Sequence, residues 1–251
     1  MVQAMAGEQA LKGRRVVKSL GTGEEHWRTD FLGKRSDGEI KDHQPQAFLI
    51  EMKADEVIVP HFHEVDQFQV FVAGDGSLGR NNEAAQPLSV HYADHHTGYG
   101  PINAGPQGFS YFTLRAKSDS GAVYLHKPGY RERLKPSRKR HGIAPGLTLS
   151  TEPVLMERKE VTVEKLLPEL DGTDGLAASL TRMGPGMTLA APDPAGSGGQ
   201  YCLVVNGSLE LDGASYPSWS TLFVAAGDAL LELRAGAKGL EALLLQFPRQ
   251  G

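Results

Sequence analysis

The run Glu56-Val57-Ile58-Val59-Pro60-His61-Phe62-His63, followed by Gln67-Phe68-Gln69-Val70-Phe71-Val72-Ala73-Gly74, decides how this chain is read. The first stretch is rich in β-branched and aromatic residues, which favour a pleated strand. Side chains on a strand alternate between faces, so Val57, Val59, His61 and His63 share one side. Apolar residues lead and two imidazoles finish. A strand that feeds a core and ends in paired nitrogen donors points to a metal site inside a β-barrel.

The second stretch has a counterpart in Gln200-Tyr201-Cys202-Leu203-Val204-Val205-Asn206-Gly207. Gln67 maps to Gln200 and Gly74 to Gly207, both at an offset of 133. A glycine closing an apolar run marks a turn that needs positive φ. A second match sets Gly108 and Arg115 against Gly227 and Arg234, an offset of 119. Two ordered matches indicate a duplicated β unit. The boundary is expected in the basic, Pro- and Gly-containing stretch Lys135 to Gly146, giving domains 1–141 and 142–251.

Composition agrees with an all-β chain. The 251 residues include 30 Gly and 15 Pro, scattered between short apolar runs. Such punctuation suits a sandwich or barrel. Val161 to Leu170 is the best candidate for a short helix, limited by Pro168. A net charge of −4 with 22% charged residues makes no general electrostatic case for nucleic acid or anionic membranes. No apolar stretch is long enough to span a bilayer. The N-terminal residues lack a basic segment followed by an apolar one, and the single Cys202 cannot form an internal disulfide. Both features predict a cytoplasmic protein.

The spacing resembles the cupin superfamily. Its first motif runs Gly, five residues, His-x-His, three or four residues, Glu, six residues, Gly. His61 and His63 match, Gln67 stands at the Glu position, Gly74 closes the motif, and Asp55 replaces the opening Gly. Its second motif aligns from Gly100 through Pro106 and Gly108, with Tyr111 at the His position and Arg115 at the Asn position. The resemblance covers residues 45 to 126 well and 180 to 247 as a degenerate copy. It implies a bicupin: two jelly-roll β-barrels in tandem with few short helices.

It also implies a metal held by His61, His63, Gln67 and Tyr111, with identity open among Fe, Mn, Ni and Zn. Gln67 removes the acidic ligand, and a Tyr111 phenolate would favour ferric iron over zinc. In the second copy the histidine positions become Pro194 and Gly196 and the tyrosine position becomes Leu230, so no donor remains. The glycine spacings, 74 to 108 against 207 to 227, place 14 extra residues in the first half, around Val90 to Tyr99. That stretch holds His91, His95 and His96, and an arm over the barrel mouth would bring a ligand or a general base such as His96.

Three functions are compatible with these residues. The first is a metal-dependent oxygenase acting on a small organic substrate. The second is a metal-free isomerase or epimerase with a His base and Tyr111 as acid. The third is a non-catalytic small-molecule-binding cupin. A homodimer is expected from the family analogy alone.

Overall fold

Short β-branched and aromatic runs broken by glycine and proline produce strands throughout, in a computed structural model that describes residues 1–18, 23–33, 43–170 and 172–249. From the N-terminus these are β1 (Gln3–Met5), β2 (Arg15–Lys18), β3 (Glu25–Leu32), β4 (Gln46–Met52), β5 (Val57–Ile58), β6 (His61–Phe62), β7 (Gln67–Leu78), β8 (Glu83–Ala85), β9 (Val90–Ala93) and β10 (Ile102–Arg115). They continue as β11 (Val123–Tyr124), β12 (His141–Ala144), β13 (Thr162–Lys165), β14 (Ala177–Met183), β15 (Thr188–Ala190), β16 (Gln200–Leu211), β17 (Ala214–Pro217), β18 (Thr221–Val224) and β19 (Glu232–Gln246). The α-helices, α1 (Gly7–Leu11) and α2 (Glu152–Met156), are short. The expected helix over Val161 to Leu170 is instead strand β13, paired with β14. Val161, Thr162 and Val163 are β-branched, and an edge strand accommodates them better than a helix.

The fold is all-β, with two jelly-roll barrels in tandem. The compact units are Gly13–Leu147 and, separately, Met1–Lys12 together with Thr148–Gly251. Two sets of hydrogen bonds move the division away from residues 141/142. Strand β12 pairs with β9, which keeps it in the first unit. Strand β1 pairs antiparallel with β18, which draws the N-terminal residues into the second.

Both units repeat one strand order. The first runs β12-β9-β7-β10-β4-β3, with β2 added beyond β3, and the second β1-β18-β16-β19-β14-β13. In each, the longest two strands pair with a bulge beside a glycine. Gly74 faces Phe109, and Gly207 faces Leu240. A Cβ on Gly74 would lie 2.1 Å from the Gly108 carbonyl oxygen, and one on Gly207 would lie 2.1 Å from that of Gly239. Both glycines hold positive φ, 74° and 68°. Close backbone approach and left-handed geometry thus require glycine twice over.

This pairing corrects the second sequence match. The counterpart of Gly108 is Gly239, not Gly227, so Arg115 corresponds to Gln246 and Tyr111 to Ala242. Gly74 to Gly108 then compares with Gly207 to Gly239, 34 residues against 32, and the 14-residue insertion disappears. Val90 to Ala93 is an ordinary sheet strand, equivalent to β18, with His91 at the position of Leu222. The first barrel packs Phe48, Ile50, Phe71, Ile102 and Phe109 inside. The second packs Val204, Leu209, Leu222, Leu240 and Leu244.

Candidate active-site cavity

Strand β6 carries His61 beside Tyr124 of β11. On its other side His61 exchanges two backbone hydrogen bonds with Tyr99, His61 N–H to Tyr99 O at 3.1 Å and the reverse at 3.0 Å. Period-two alternation sends His61 and His63 to one side and the fully buried Phe62 to the other. The two imidazole centroids are 5.1 Å apart, and both line a cavity of about 180 Å³ in the Gly13–Leu147 barrel.

Hydrogen bonds fix the polarity of both rings. His61 Nδ1–H donates to the Val59 carbonyl at 2.9 Å, so Nε2 carries the lone pair and accepts the Tyr99 hydroxyl proton at 3.0 Å. His63 Nδ1–H donates to Asp119 at 2.6 Å, which presents the Nε2 lone pair. Burial, helped by the neighbouring His63, pushes His61 down to about 3. Burial and the Arg115 charge lower His63 as well, against the pull of Asp119. For Asp119, burial would favour the neutral acid. The Arg115 guanidinium and the His63 hydrogen bond outweigh it and hold the carboxyl well below its usual range.

Arg115 is the hub of the site. Its Nε and Nη2 donate to Gln67 Oε1 at 3.1 and 2.9 Å. Its Nη1 reaches Gln46 Oε1 at 3.4 Å and Asp119 at 3.2 Å. Nη2 also lies over the His63 ring, 3.1 Å from Nδ1 and 3.3 Å from Nε2. Because Arg115 claims the Gln67 oxygen, the Gln67 amide N–H is turned to the Tyr99 oxygen. Among the described residues, Tyr99 places its own proton on His61. A single direction runs from Arg115 through Gln67 and Tyr99 to His61.

The structure therefore brings His61, His63 and Tyr111 to one cavity. Burial holds the Tyr111 hydroxyl in its protonated form. Gln67 lies behind the cavity wall, engaged by Arg115. His96 is elsewhere: its ring packs on Phe62 at 5.6 Å, on the face opposite the histidine pair, and its backbone N–H bonds to the His63 carbonyl at 2.7 Å. The expected arm over the mouth is strand β9. It carries His91 into the interior, fully buried, with Nδ1–H on Gln69 at 2.8 Å and the ring 5.0 Å from Tyr99.

Sequence reasoning missed Asp119 and the role of Tyr99. Nothing in the spacing marks Asp119, four residues beyond Arg115. In the sequence Tyr99 figures only as the end of the expected insertion and as a tyrosine able to fill the barrel.

No family model matches this chain, and no curated protein matches it. Solved structures of cupin fold do. A candidate dioxygenase from Nostoc punctiforme superposes with a TM-score of 0.61 at 11% identity, over 99% of this chain and 83% of its own. An oxalate decarboxylase variant from Bacillus subtilis gives 0.56 at 11%, over 99% and 78%. A bacterial pirin from Escherichia coli, in complex with nickel(II), gives 0.56 at 10% over the whole of both chains. Another Bacillus subtilis oxalate decarboxylase structure concerns Mn(II) centres. At such identities the likeness is one of fold.

A tightly held dication needs several unengaged lone pairs that converge, with anionic charge among them. Here His61 Nε2 takes the Tyr99 proton, Gln67 Oε1 takes two from Arg115, and the Arg115 guanidinium lies over the His63 ring, 3.1 and 3.3 Å from its two nitrogens. Among the described residues no group of three His, Cys, Asp or Glu is arranged to hold an ion. The two imidazoles share a cavity, but the third and fourth donors implied by the motif do not join them. As it stands, the donor set does not fit a tightly bound ion.

Proposed function

We propose that the Gly13–Leu147 barrel catalyses proton transfer at carbon on a small organic anion, as in an isomerase or epimerase. One observation carries this reading: His63, backed by buried Asp119 at 2.6 Å, lines the same cavity as Tyr111. His63 is neutral near pH 7 and offers Nε2 as the base. A substrate C–H next to a carbonyl or carboxylate would meet the Nε2 lone pair in the ring plane, with the Arg115 guanidinium over the ring face. The imidazolium then formed is stabilised by Asp119 at Nδ1. The Tyr111 hydroxyl, kept protonated by burial, returns a proton to the carbon from another direction. Among the described residues, Lys18, Arg28 and Arg115 line the cavity with one carboxylate, Asp119, while Glu25 and Asp30 pair with Lys18 and Arg28 from outside the lining; the balance favours an anionic substrate.

The test is exchange of carbon-bound hydrogen in D2O, followed by proton NMR over a panel of small 2-keto and 2-hydroxy acids with EDTA present. His63→Gln and Tyr111→Phe are each expected to slow exchange by about 100-fold. Exchange that is indifferent to both substitutions would sink the reading.

A second reading is a divalent or ferric ion on His61 and His63 serving an oxygenase. The observation in its favour is the shared cavity of the two imidazoles, and nickel and manganese occur in fold neighbours. It requires Tyr99 to release His61 Nε2 and an ion to sit beside the Arg115 guanidinium. Exchange activity that EDTA abolishes and Mn2+ or Ni2+ restores would favour it over the first.

A further inference from the structure

We propose that the Arg115 guanidinium is the resident cation of this site, filling the place beside His63 and Gln67 where the motif implies a metal ion. The inference concerns the same cavity as the proton-transfer reading and rests on its metal-free character.

Three observations carry it. First, Arg115 takes up the Gln67 Oε1 that the motif would assign to an ion, at 2.9 and 3.1 Å, and its Nη2 packs over the His63 ring, 3.1 Å from Nδ1 and 3.3 Å from Nε2. Through Gln67 and Tyr99 it also sets the proton that caps His61 Nε2. Second, Arg115 is 5% exposed and its guanidinium is engaged by the protein: Nε and Nη2 on Gln67, Nη1 on Gln46 and Asp119, with Nη2 also packed over the His63 ring. An arginine has five N–H groups, and Gln67, Gln46 and Asp119 take four of them. Third, the charges balance. A neutral Gln67 stands where the motif has a carboxylate, and Asp119, 3.2 Å away, supplies the counter-charge from the other side. A guanidinium is charged at every physiological pH. The cavity therefore keeps a fixed positive centre without recruiting an ion, and an added dication would meet it at close range with no added anion.

Metal content tests this directly. Wild type, Gln67→Glu, and Gln67→Glu/Arg115→Met are stripped with EDTA and equilibrated with MnCl2 or NiCl2. After desalting, the ions are counted by mass spectrometry, with folding checked by thermal melts. Wild type and Gln67→Glu, which both keep Arg115, are expected to hold below about 0.1 ion per chain, and the double variant at least five-fold more. Adding His63→Ala to the double variant should return it to the wild-type level. If wild type or Gln67→Glu loads about one ion per chain, the guanidinium does not occupy the ion's place and the proposal fails. It also fails if the double variant folds yet stays at the wild-type level. Should that variant not fold, Gln67→Glu alone decides, because it restores the acidic ligand of the first motif while Arg115 stays in place. D2O exchange on the same wild-type sample separates the two claims: a metal-free protein without exchange retires the reaction and leaves the resident cation standing.

Discussion

Acidification should unfold the Gly13–Leu147 barrel through its buried imidazoles, and His61 allows the size to be worked out. His61 is 3% exposed and its ring titrates at about 3, against about 6.5 in an unfolded chain. The folded value lies below the unfolded one, so the unfolded chain binds a proton that the folded chain refuses. Stability is complete above pH 6.5 and is lost as pH falls from there towards 3. Each unit in that window removes about 1.4 kcal/mol, hence roughly 2.7 kcal/mol by pH 4.5 and a ceiling near 5 kcal/mol. His63 and His91, lowered chiefly by burial, act with the same sign. His95 opposes them. Its hydrogen bond to Asp66 raises it, so its stabilisation is present below pH 6.5 and disappears as pH climbs through its folded value. That ring is 35% exposed, and solvent screening leaves it a small share. The assay is urea unfolding between pH 7.5 and 4.5 in EDTA, with Trp219→Phe making Trp27 the reporter of this barrel. A total stability of about 5–15 kcal/mol makes a loss of this size easy to resolve. Unfolding free energies that stay level across the window would refute the assignment. So would a His61→Gln variant whose pH slope is as steep as wild type.

Other outcomes follow from the same geometry. Asp119→Asn leaves the Arg115 guanidinium buried without its counter-charge and should cost about 3–5 kcal/mol in chemical denaturation. Gly74→Ala and Gly207→Ala each force a Cβ to 2.1 Å from a carbonyl oxygen at positive φ. Each should destabilise its own barrel by at least about 2 kcal/mol, read from Trp27 and Trp219 respectively. Deleting residues 1–12 removes β1 from β18 and should weaken the Trp219 transition while leaving the Trp27 transition in place. Burial pushes the Cys202 thiol up to about 12, so native protein should resist a thiol reagent that labels the unfolded chain promptly.

Local patterns were legible where one rule governed them. Alternation of β-branched residues marked strands, and a glycine ending an apolar run marked Gly74 and Gly207, because no other residue tolerates that φ so close to a neighbouring carbonyl. The second repeat match failed because a Gly-to-Arg spacing looks alike in a turn and in a bulged strand. Gly227 lies outside the long strands, whereas Gly239 occupies the bulge, and only the hydrogen-bond register tells them apart. The supposed insertion was a consequence of that slip.

The sequence by itself determined the all-β class, the duplication, and the one half that keeps a histidine pair. Alternation and spacing are enough for these, since they depend on neighbours along the chain. Only the tertiary structure decided what those histidines face. Tyr99 reaches His61 across a backbone bridge from a separate segment, and Asp119 reaches His63 from beyond β10. Arg115 is turned inward by Gln46, Gln67 and Asp119 together. Buried polar groups must find partners wherever the fold supplies them. The identity of those partners is a property of packed strands, which no spacing along the chain records.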